Sequence, residues 1–524
     1  MIFGRVKPLD AILATAEKKG LHRSLGPIQL TLFGVGCIIG TGIFVLTSVG
    51  AQKAGPGLIL SFVVAGAVCV VAALCYAEIS SMIPVAGSAY TYSYAVQGEF
   101  LAWTVGWALL LEYAVGASAV SVGWSNYFTD TILSHSLGID LPAWLRAGPL
   151  ALDGQPGGLI NLPAAIIALL MTWLLMIGTK ESARFNAVLV AIKITALTAF
   201  IILTFPTVDA DNFSPMMPGG LFGGFGTGVG VVGAAATMFF AYVGFDAVST
   251  AAEETKNPQR NVPIGLIGSL AICTVFYMLV SAGAVGAVGG QPIFGLDGTP
   301  ISTGSEELAR QCALPQFAEM LVCSREPLAH VLRTIGYGGI GNALGYAAFL
   351  ALPSVILILL FGQTRIFFVM SRDGLLPEAL SKVHPRWRTP HICTAITGVA
   401  VAIAAALLPV GQLADVANAG TLYAFAMVAI AVWMLRRRDP ERPRTFRVPA
   451  LGLVAILTIV GCLFLFFNLA IEAMLVLPIW TAIGVLIYML YSYRKSHLGR
   501  GLVEVHEPEI RDIEPPIPGV DEPR

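Results

Sequence analysis

The sequence predicts an all-α polytopic membrane protein with twelve transmembrane helices, of which the first and the sixth are discontinuous. Hydrophobic residues make up 56% of the 524 residues and charged residues 12%, whereas soluble domains carry about 25% charged residues. A soluble chain of this composition would lack the polar surface needed to cover itself, so most of it must face lipid. The net charge of −1 argues against nucleic acid as a partner.

Twelve apolar stretches are long enough to cross a bilayer, whose core of about 30 Å needs about 20 helical residues. They lie at 28–50, 57–82, 100–128, 160–179, 186–206, 229–252, 263–288, 341–370, 391–409, 414–435, 451–471 and 473–493. The predicted organisation is an N-terminal segment 1–27, a first repeat 28–206, a second repeat 229–435 with a loop at 290–340, two further spans in 451–493, and an acidic, disordered tail 494–524.

The basic residues predict the orientation of these spans. If the N-terminus and every second loop are cytoplasmic, 24 Lys and Arg lie on the cytoplasmic side. Five lie in loops on the other side: Lys53, Arg146, Arg310, Arg325 and Arg333. Cytoplasmic loops carry the excess of positive charge in membrane proteins. We therefore expect both termini in the cytoplasm and the chain in a plasma (bacterial inner) membrane.

The first span contains GVGCIIGTGIF, with glycines at 34, 36, 40 and 42. Each glycine costs roughly 1 kcal/mol relative to alanine in a helix interior, so this cluster predicts a break. Close packing of small residues is the alternative, which accounts for Gly36 and Gly40 but not for the Gly-Thr-Gly of 40–42. Unwound backbone at this depth persists where it lines a cavity, and the half-helix that follows presents its positive dipole end to an anion.

The sixth span carries a matching interruption in FFAYVGFDAVSTAAEETKNP, where Gly244 and Asp246 divide the apolar run. An aspartate at this depth is costly unless it is paired, hydrated or caps a broken helix. Interrupted helices in corresponding positions of two halves indicate a transporter with inverted repeats, here spans 1–5 and 6–10.

Two further ionisable residues lie inside spans. Lys193 lies about 10 Å deep in the fifth span; either it extends to the membrane surface, or it faces the broken first helix and binds and releases a proton. Glu112 lies near the middle of the third span. Either it is a protonated carboxyl bonded to a neighbour, or it lines a substrate route or relays protons.

Four other residues complete the set of candidates. Glu253 and Glu254 fall where the sixth span meets the cytoplasm, which suits a cytoplasmic gate or a loop salt bridge. Cys312 and Cys323 lie in the polar loop and can form a disulfide if that loop faces an oxidising compartment. The eight cysteines show no metal-ligand spacing, so we expect no metal and no cofactor.

Three motifs resemble those of the amino acid–polyamine–organocation superfamily and, within it, the cationic amino acid transporter family. They are GVGCIIGTGIF, FFAYVGFDAVSTAAEETKNPQRNVPIGL and GQTRIFFVMSRDGLLP, and the similarity runs from about residue 25 to 493. The resemblance implies a leucine-transporter-like (LeuT-like) fold of 5+5 inverted repeats, followed here by two extra helices. It also implies uptake of L-amino acids, often with a proton.

The resemblance further implies roles for main-chain groups at the two breaks. N–H groups around Ile38, Thr41 and Gly42 would meet the substrate carboxylate, and carbonyls at Phe240, Ala241 and Val243 would meet its ammonium group.

Side-chain roles follow from the same resemblance. Lys193 matches a lysine that takes the place of a sodium ion in sodium-coupled relatives, which suits proton coupling. Glu112 and Asp246 match acidic positions near the pocket. Because family members carry either neutral or cationic amino acids, the charge of the substrate side chain stays open.

The sequence therefore predicts a secondary active transporter for L-amino acids that works by alternating access in the lipid bilayer, with H+ as the coupling ion. An amino acid or polyamine exchanger, and a non-transporting amino acid sensor on the same fold, remain open alternatives. An enzyme is not expected, because no span carries HExxH, GxSxG or paired aspartates.

Overall fold

The computed structural model describes residues 5–6, 25–83, 88–149, 158–178, 183–250, 255–296, 298–317, 319–387 and 389–501. Within them, eight helices are long and apolar enough to cross a membrane, and four shorter apolar helices lie at predicted spans 1, 4, 9 and 11. The all-α polytopic class is confirmed. Three features stay predictions: the count of twelve crossings, the inverted repeats, and the structure of most of the N-terminal segment and of the C-terminal tail.

The elements are numbered here in chain order. The helices are α1 Pro27–Ile38, α2 Thr41–Phe44, α3 Leu46–Ala54, α4 Leu58–Met82, α5 Ser88–Val96, α6 Glu99–Tyr127, α7 Ala143–Arg146, α8 Leu162–Ile177, α9 Ala183–Thr204, α10 Gly230–Met238, α11 Ala247–Thr250, α12 Pro258–Val288, α13 Glu306–Cys312, α14 Pro327–Thr334, α15 Gly338–Arg372, α16 His391–Leu407, α17 Val410–Arg438, α18 Leu451–Phe466, α19 Ile471–Ile487 and α20 Tyr493–Lys495. A two-residue strand, β1, spans Ile160–Asn161.

Helix α6 lies at the centre of the bundle and packs against α15, α17 and α8. Most of its residues are buried, on every side of the helix, as expected for a helix surrounded by protein rather than lipid. Its last turn continues as a π-helix, Phe128–Ser136, which we call the α6 extension. Gly123 of α6 lies directly against Thr41, so α6 also supports the first interrupted span.

Residues near the two ends of the described chain meet on one face of the bundle. Arg5 lies 3.4 Å from the Glu99 carboxylate, and its guanidinium donates to the carbonyl of Tyr493 across 3.1 Å. We call this the terminal face. The end of α3 and the loop that contains α13 and α14 lie on the opposite face.

Candidate functional site

The first predicted span is interrupted between α1 and α2. Helix α1 ends at Ile38, and Gly40 adopts φ −149° and ψ −146° before α2 begins at Thr41. Thr41 and Gly42 occupy the first turn of α2, where N–H groups have no acceptor in their own helix. Ile38 is the last residue of α1 and lies before the break, and its predicted contact with the substrate carboxylate stays a prediction.

The sixth predicted span is interrupted after α10. Helix α10 ends at Met238 and continues as one 3₁₀ turn, Phe239–Tyr242, before the backbone leaves helical geometry at Val243. Gly244 has φ +110°, which glycine adopts at little cost, and α11 begins at Ala247. The sixth span is therefore broken at residues 243–246, five to eight residues beyond the end of α10.

The two interrupted segments touch through their backbones. A Cβ atom on Gly42 would lie 2.3 Å from the Cα atom of Ala241, and one on Gly244 would lie 3.1 Å from the carbonyl oxygen of Cys37. A side chain at either position would therefore clash with the other segment, and Gly244 in addition has a positive φ that favours glycine. The breaks predicted separately from the sequence form one site.

A tyrosine from α12 joins the two helix ends. The hydroxyl oxygen of Tyr277 lies 2.9 Å from the carbonyl oxygen of Ile38 and 2.8 Å from that of Ala241. The side chain is fully buried. Sequence reasoning missed this residue, although a buried tyrosine hydroxyl needs a partner and Tyr277 lies within an apolar span.

The carbonyls predicted to meet an ammonium group lie at the end of the α10 segment. The Phe240 carbonyl accepts from the Val243 N–H across 3.2 Å, and the Ala241 carbonyl accepts from Tyr277. A carbonyl oxygen has two lone pairs, so each retains one for a further donor.

Lys193 of α9 points into the protein. It is 1% exposed, and its Nζ donates to the carbonyl oxygen of Gly36 across 2.9 Å. The alternative in which this lysine extends to the membrane surface is therefore excluded. Its cation lies against α1, directly before the break.

Glu112 and Asp246 are each 1% exposed. The Tyr113 hydroxyl donates to Oδ2 of Asp246 across 3.2 Å. Within the described part of the chain, Oδ1 of Asp246, both carboxyl oxygens of Glu112 and the Thr41 hydroxyl have no hydrogen-bond partner. Unsatisfied buried polar atoms are rare in native proteins, so these atoms are candidates to bond a polar ligand, water or a proton.

Apolar side chains flank the same breaks. A Cβ atom on Gly40 would lie 3.5 Å from the side chain of Val355 in α15. A Cβ atom on Gly116 of α6 would lie 3.6 Å from Leu359 and 3.8 Å from Phe240. Val355 and Leu359 of α15 and Phe240 of the 3₁₀ turn after α10 thus give the site a hydrophobic wall.

A buried ion pair lies on the side of the site toward the opposite face. Nζ of Lys53 donates to Oδ2 of Asp415 across 2.9 Å and to the Thr237 hydroxyl across 2.6 Å. Both charged side chains are 4% exposed. The sequence reading counted Lys53 as a loop cation, which was wrong because α3 places it inside the bundle. The pair joins α3, α10 and α17.

The opposite face carries a small cavity between α3, the last turn of α6, α13 and the loop before α14. Its volume is about 40 Å³, and Ser48, Gln52, Asn126 and Arg325 contribute to its lining. That volume suits water and excludes an amino acid. Cys312 and Cys323, which also line it, form a disulfide.

The predicted gate residues, Glu253 and Glu254, are outside the described residues. No group of three or more metal-ligating side chains suited to a metal ion occurs in the segments that the structure describes.

Two interrupted membrane helices that meet end to end define the class of site used by membrane transporters with half-helix binding elements. The family model described as "Amino acid permease" matches residues 25–492. The chain therefore belongs to the amino acid permease family, within the amino acid–polyamine–organocation superfamily.

Individual relatives align with most of the chain. This chain is 44% identical over 499 residues to the branched-chain amino acid permease BcaP of Bacillus subtilis, and the alignment covers 95% of this chain and 99% of that protein. It is 42% identical over 501 residues to the methylthioribose transporter of the same organism, with the same coverage. It is 36% identical over 427 residues to the vacuolar cationic amino acid transporter 4 of Arabidopsis thaliana, covering 80% of this chain and 64% of that protein. The predicted family resemblance is confirmed.

Proposed function

We propose that this protein is a secondary active transporter that takes up L-amino acids together with a proton by alternating access. The observation that carries the proposal is the backbone contact between two interrupted membrane helices at Gly42 and Ala241. Half-helix ends of this kind present N–H groups to a carboxylate and carbonyl oxygens to an ammonium group. These are the two charges that all free amino acids share.

In the proposed site, the N–H groups of Thr41 and Gly42 hold the substrate carboxylate. The carbonyls of Phe240, Ala241 and Val243 hold its ammonium group. Both sets lie at mid-depth in a low-dielectric environment, where the positive end of one helix and the negative end of another act on opposite charges. Glu112 and Asp246 are then acidic groups beside the pocket.

The hydrophobic wall favours a neutral aliphatic side chain. Val355, Leu359 and Phe240 are buried beside the two breaks, and none of these three side chains can accept a hydrogen bond from a cationic substrate side chain. The similarity to a branched-chain amino acid permease supports the same choice. Leucine, isoleucine and valine are therefore the proposed substrates.

Lys193 is the proposed site of proton coupling. Its ammonium donates a charge-assisted hydrogen bond to Gly36, and such bonds are about twice as strong as neutral ones. Loss of the proton weakens the connection between α9 and α1 and allows α1 to move. Proton binding on one side and release on the other would then bias the direction of opening.

The proposed orientation places the terminal face in the cytoplasm of a plasma or bacterial inner membrane, as the positive-inside rule requires. The Lys53–Asp415 pair and the water-sized cavity lie toward the opposite face. In this arrangement the structure corresponds to a state in which the outward route is closed.

The test is uptake of labelled leucine into proteoliposomes with an alkaline interior, compared with liposomes that lack the gradient or the protein. The proposal expects accumulation that depends on the pH gradient and that unlabelled valine suppresses but arginine does not. Equal uptake with and without the gradient contradicts proton coupling. Uptake that requires internal amino acid instead identifies an exchanger, and leucine binding without flux identifies a sensor.

A further inference from the structure

Glu326 is a buried acidic residue on the opposite face, away from the transport site. It directly precedes α14 and is 4% exposed. Its carboxylate accepts hydrogen bonds from the Thr131 hydroxyl and from the Arg333 guanidinium. Thr131 lies on the α6 extension and Arg333 on α14, so one carboxylate joins the two elements.

The surrounding packing is tight. A Cβ on Gly345 of α15 would lie 2.3 Å from the Thr131 hydroxyl oxygen, and one on Gly341 would lie 2.8 Å from the Ala329 carbonyl. Arg333 also donates to Asn342 of α15 across 3.2 Å. The α6 extension, α14 and α15 therefore enclose Glu326, and release of α14 would expose its carboxylate to water.

The charged groups around Glu326 come from two elements. Arg333 faces it from α14, and His135 of the α6 extension lies 4.0 Å away. Asp130 of the same extension acts on the carboxyl and is itself paired with Arg325 at 3.3 Å.

Other neighbours add no charge to this contact. Among the described residues, α15 contributes the neutral Asn342. Helices α3, α9 and α12 also pack against α14, but Lys53 of α3 and Lys193 of α9 have the partners described above. The charges that act at Glu326 are therefore those of Arg333 and Asp130. Arg325 and Arg146 both pair with Asp130, and the titratable side chains of His135 and Tyr127 also lie near the carboxyl.

We propose that Glu326 is a proton-binding site that makes the docking of α14 onto the α6 extension respond to pH on the opposite face. A buried carboxyl that becomes hydrated when its interface opens binds a proton more tightly in the docked form. Protonation therefore strengthens docking, and a rise in pH loosens it. Because α14 directly follows the segment Val322–Arg325 that lines the small cavity, docking of α14 also holds that segment in place.

The direction and range of the effect follow from proton linkage. Burial raises the pKa of the Glu326 carboxyl from 4.5 to about 7, while Arg333 and Thr131 act in the opposite direction. If the pKa returns to its ordinary value on release of α14, the docking equilibrium weakens about tenfold between about pH 6 and pH 8.

Hydrogen exchange of the segment 321–337 tests this proposal, in the full chain reconstituted in lipid and with intrinsic rates corrected for pH. We expect about tenfold greater protection near pH 6 than near pH 8 in the native sequence. Glu326→Gln keeps the size of the side chain and removes its titration, so protection becomes equal at the two pH values. Glu306→Gln is the matched control, because Glu306 lies in the same loop in an exposed pair with Arg310, and it should retain the native pH response.

Further variants keep the proposal falsifiable if Glu326→Gln does not fold. Thr131→Val removes a donor to the charged carboxylate and should move the midpoint of the pH response upward. Loss of the response in His135→Ala, with retention in Glu326→Gln, would assign the proton to His135 and overturn the proposal. Equal protection at both pH values in the native chain would also overturn it. None of these outcomes depends on proton-coupled transport, so they separate this proposal from the proposed function.

Discussion

Lys193 donates a hydrogen bond from its buried ammonium group to the carbonyl oxygen of Gly36 across 2.9 Å. The bond ties α9 to the last turns of α1, immediately before the first break. A titratable cation thus holds one of the two half-helices that carry the proposed substrate site. This contact supports the proposed link between a proton on Lys193 and the position of α1.

Replacement of Lys193 separates binding from coupling. Lys193→Ala should retain leucine binding within about tenfold, because no substrate contact is removed, and should lose the dependence of uptake on the pH gradient. Lys193→Arg keeps the positive charge but cannot release a proton at physiological pH. Proteoliposome uptake with and without the gradient measures both variants. Full gradient dependence in Lys193→Arg would refute the assignment.

Gly42→Ala should disrupt the contact between the two breaks. Its Cβ would fall 2.3 Å from the Cα atom of Ala241, and overpacking of this kind costs about 1–3 kcal/mol. The expected result is leucine affinity at least about tenfold lower, measured as ligand-induced thermal stabilisation. Gly452→Ala is the control, since no neighbouring atom lies within 4 Å of its Cβ position, and it should behave as the native protein does.

Tyr277→Phe removes the hydroxyl between the carbonyls of Ile38 and Ala241. Two buried carbonyls then lose a shared donor, so we expect the free energy of unfolding to fall by about 1–3 kcal/mol. Thermal unfolding in detergent measures the change. Tyr337 is 41% exposed, and Tyr337→Phe should have no measurable effect. Equal stability of the two variants would show that the Tyr277 hydroxyl contributes nothing to joining the breaks.

Breaking the Lys53–Asp415 pair should lower the free energy of unfolding strongly, whereas replacing both residues with apolar ones should lower it little. Lys53→Met alone leaves a buried carboxylate without its cation, which typically costs about 3–5 kcal/mol. The double variant Lys53→Met with Asp415→Leu should recover most of this loss. Arg310→Met, in an exposed pair with Glu306, should cost at most about 1 kcal/mol. A double variant as unstable as the single one would mean that packing, rather than charge, sets the effect.

The features that the sequence predicted well are those with a local cause. Composition determines the membrane class, and the glycines at 40 and 42 weaken their own helix whatever surrounds it. The end of α1 at Ile38 was harder to predict, because the exact residue where a helix ends depends on tertiary contacts. Tyr277 was missed for a related reason, since its role depends on two distant helix ends reaching the same hydroxyl.

The positions of the charged residues were harder to predict from the sequence. Lys53 looked like a loop cation because it follows an apolar run near Gly55 and Pro56, yet α3 carries it into the bundle beside Asp415. The choice between the two readings of Lys193 likewise required knowing which side of α9 faces α1. Helix facing is set by packing across the whole bundle, which a single sequence does not specify.

The central claim is that the two broken helices hold both charges of an amino acid. Competition for labelled leucine binding by 3-methylbutylamine, which lacks the carboxylate, and by 4-methylpentanoate, which lacks the ammonium group, tests it most directly. The account predicts that each analogue binds at least about tenfold more weakly than leucine, because each leaves one set of main-chain groups unpaired. Competition by either analogue at the same concentration as leucine would contradict it.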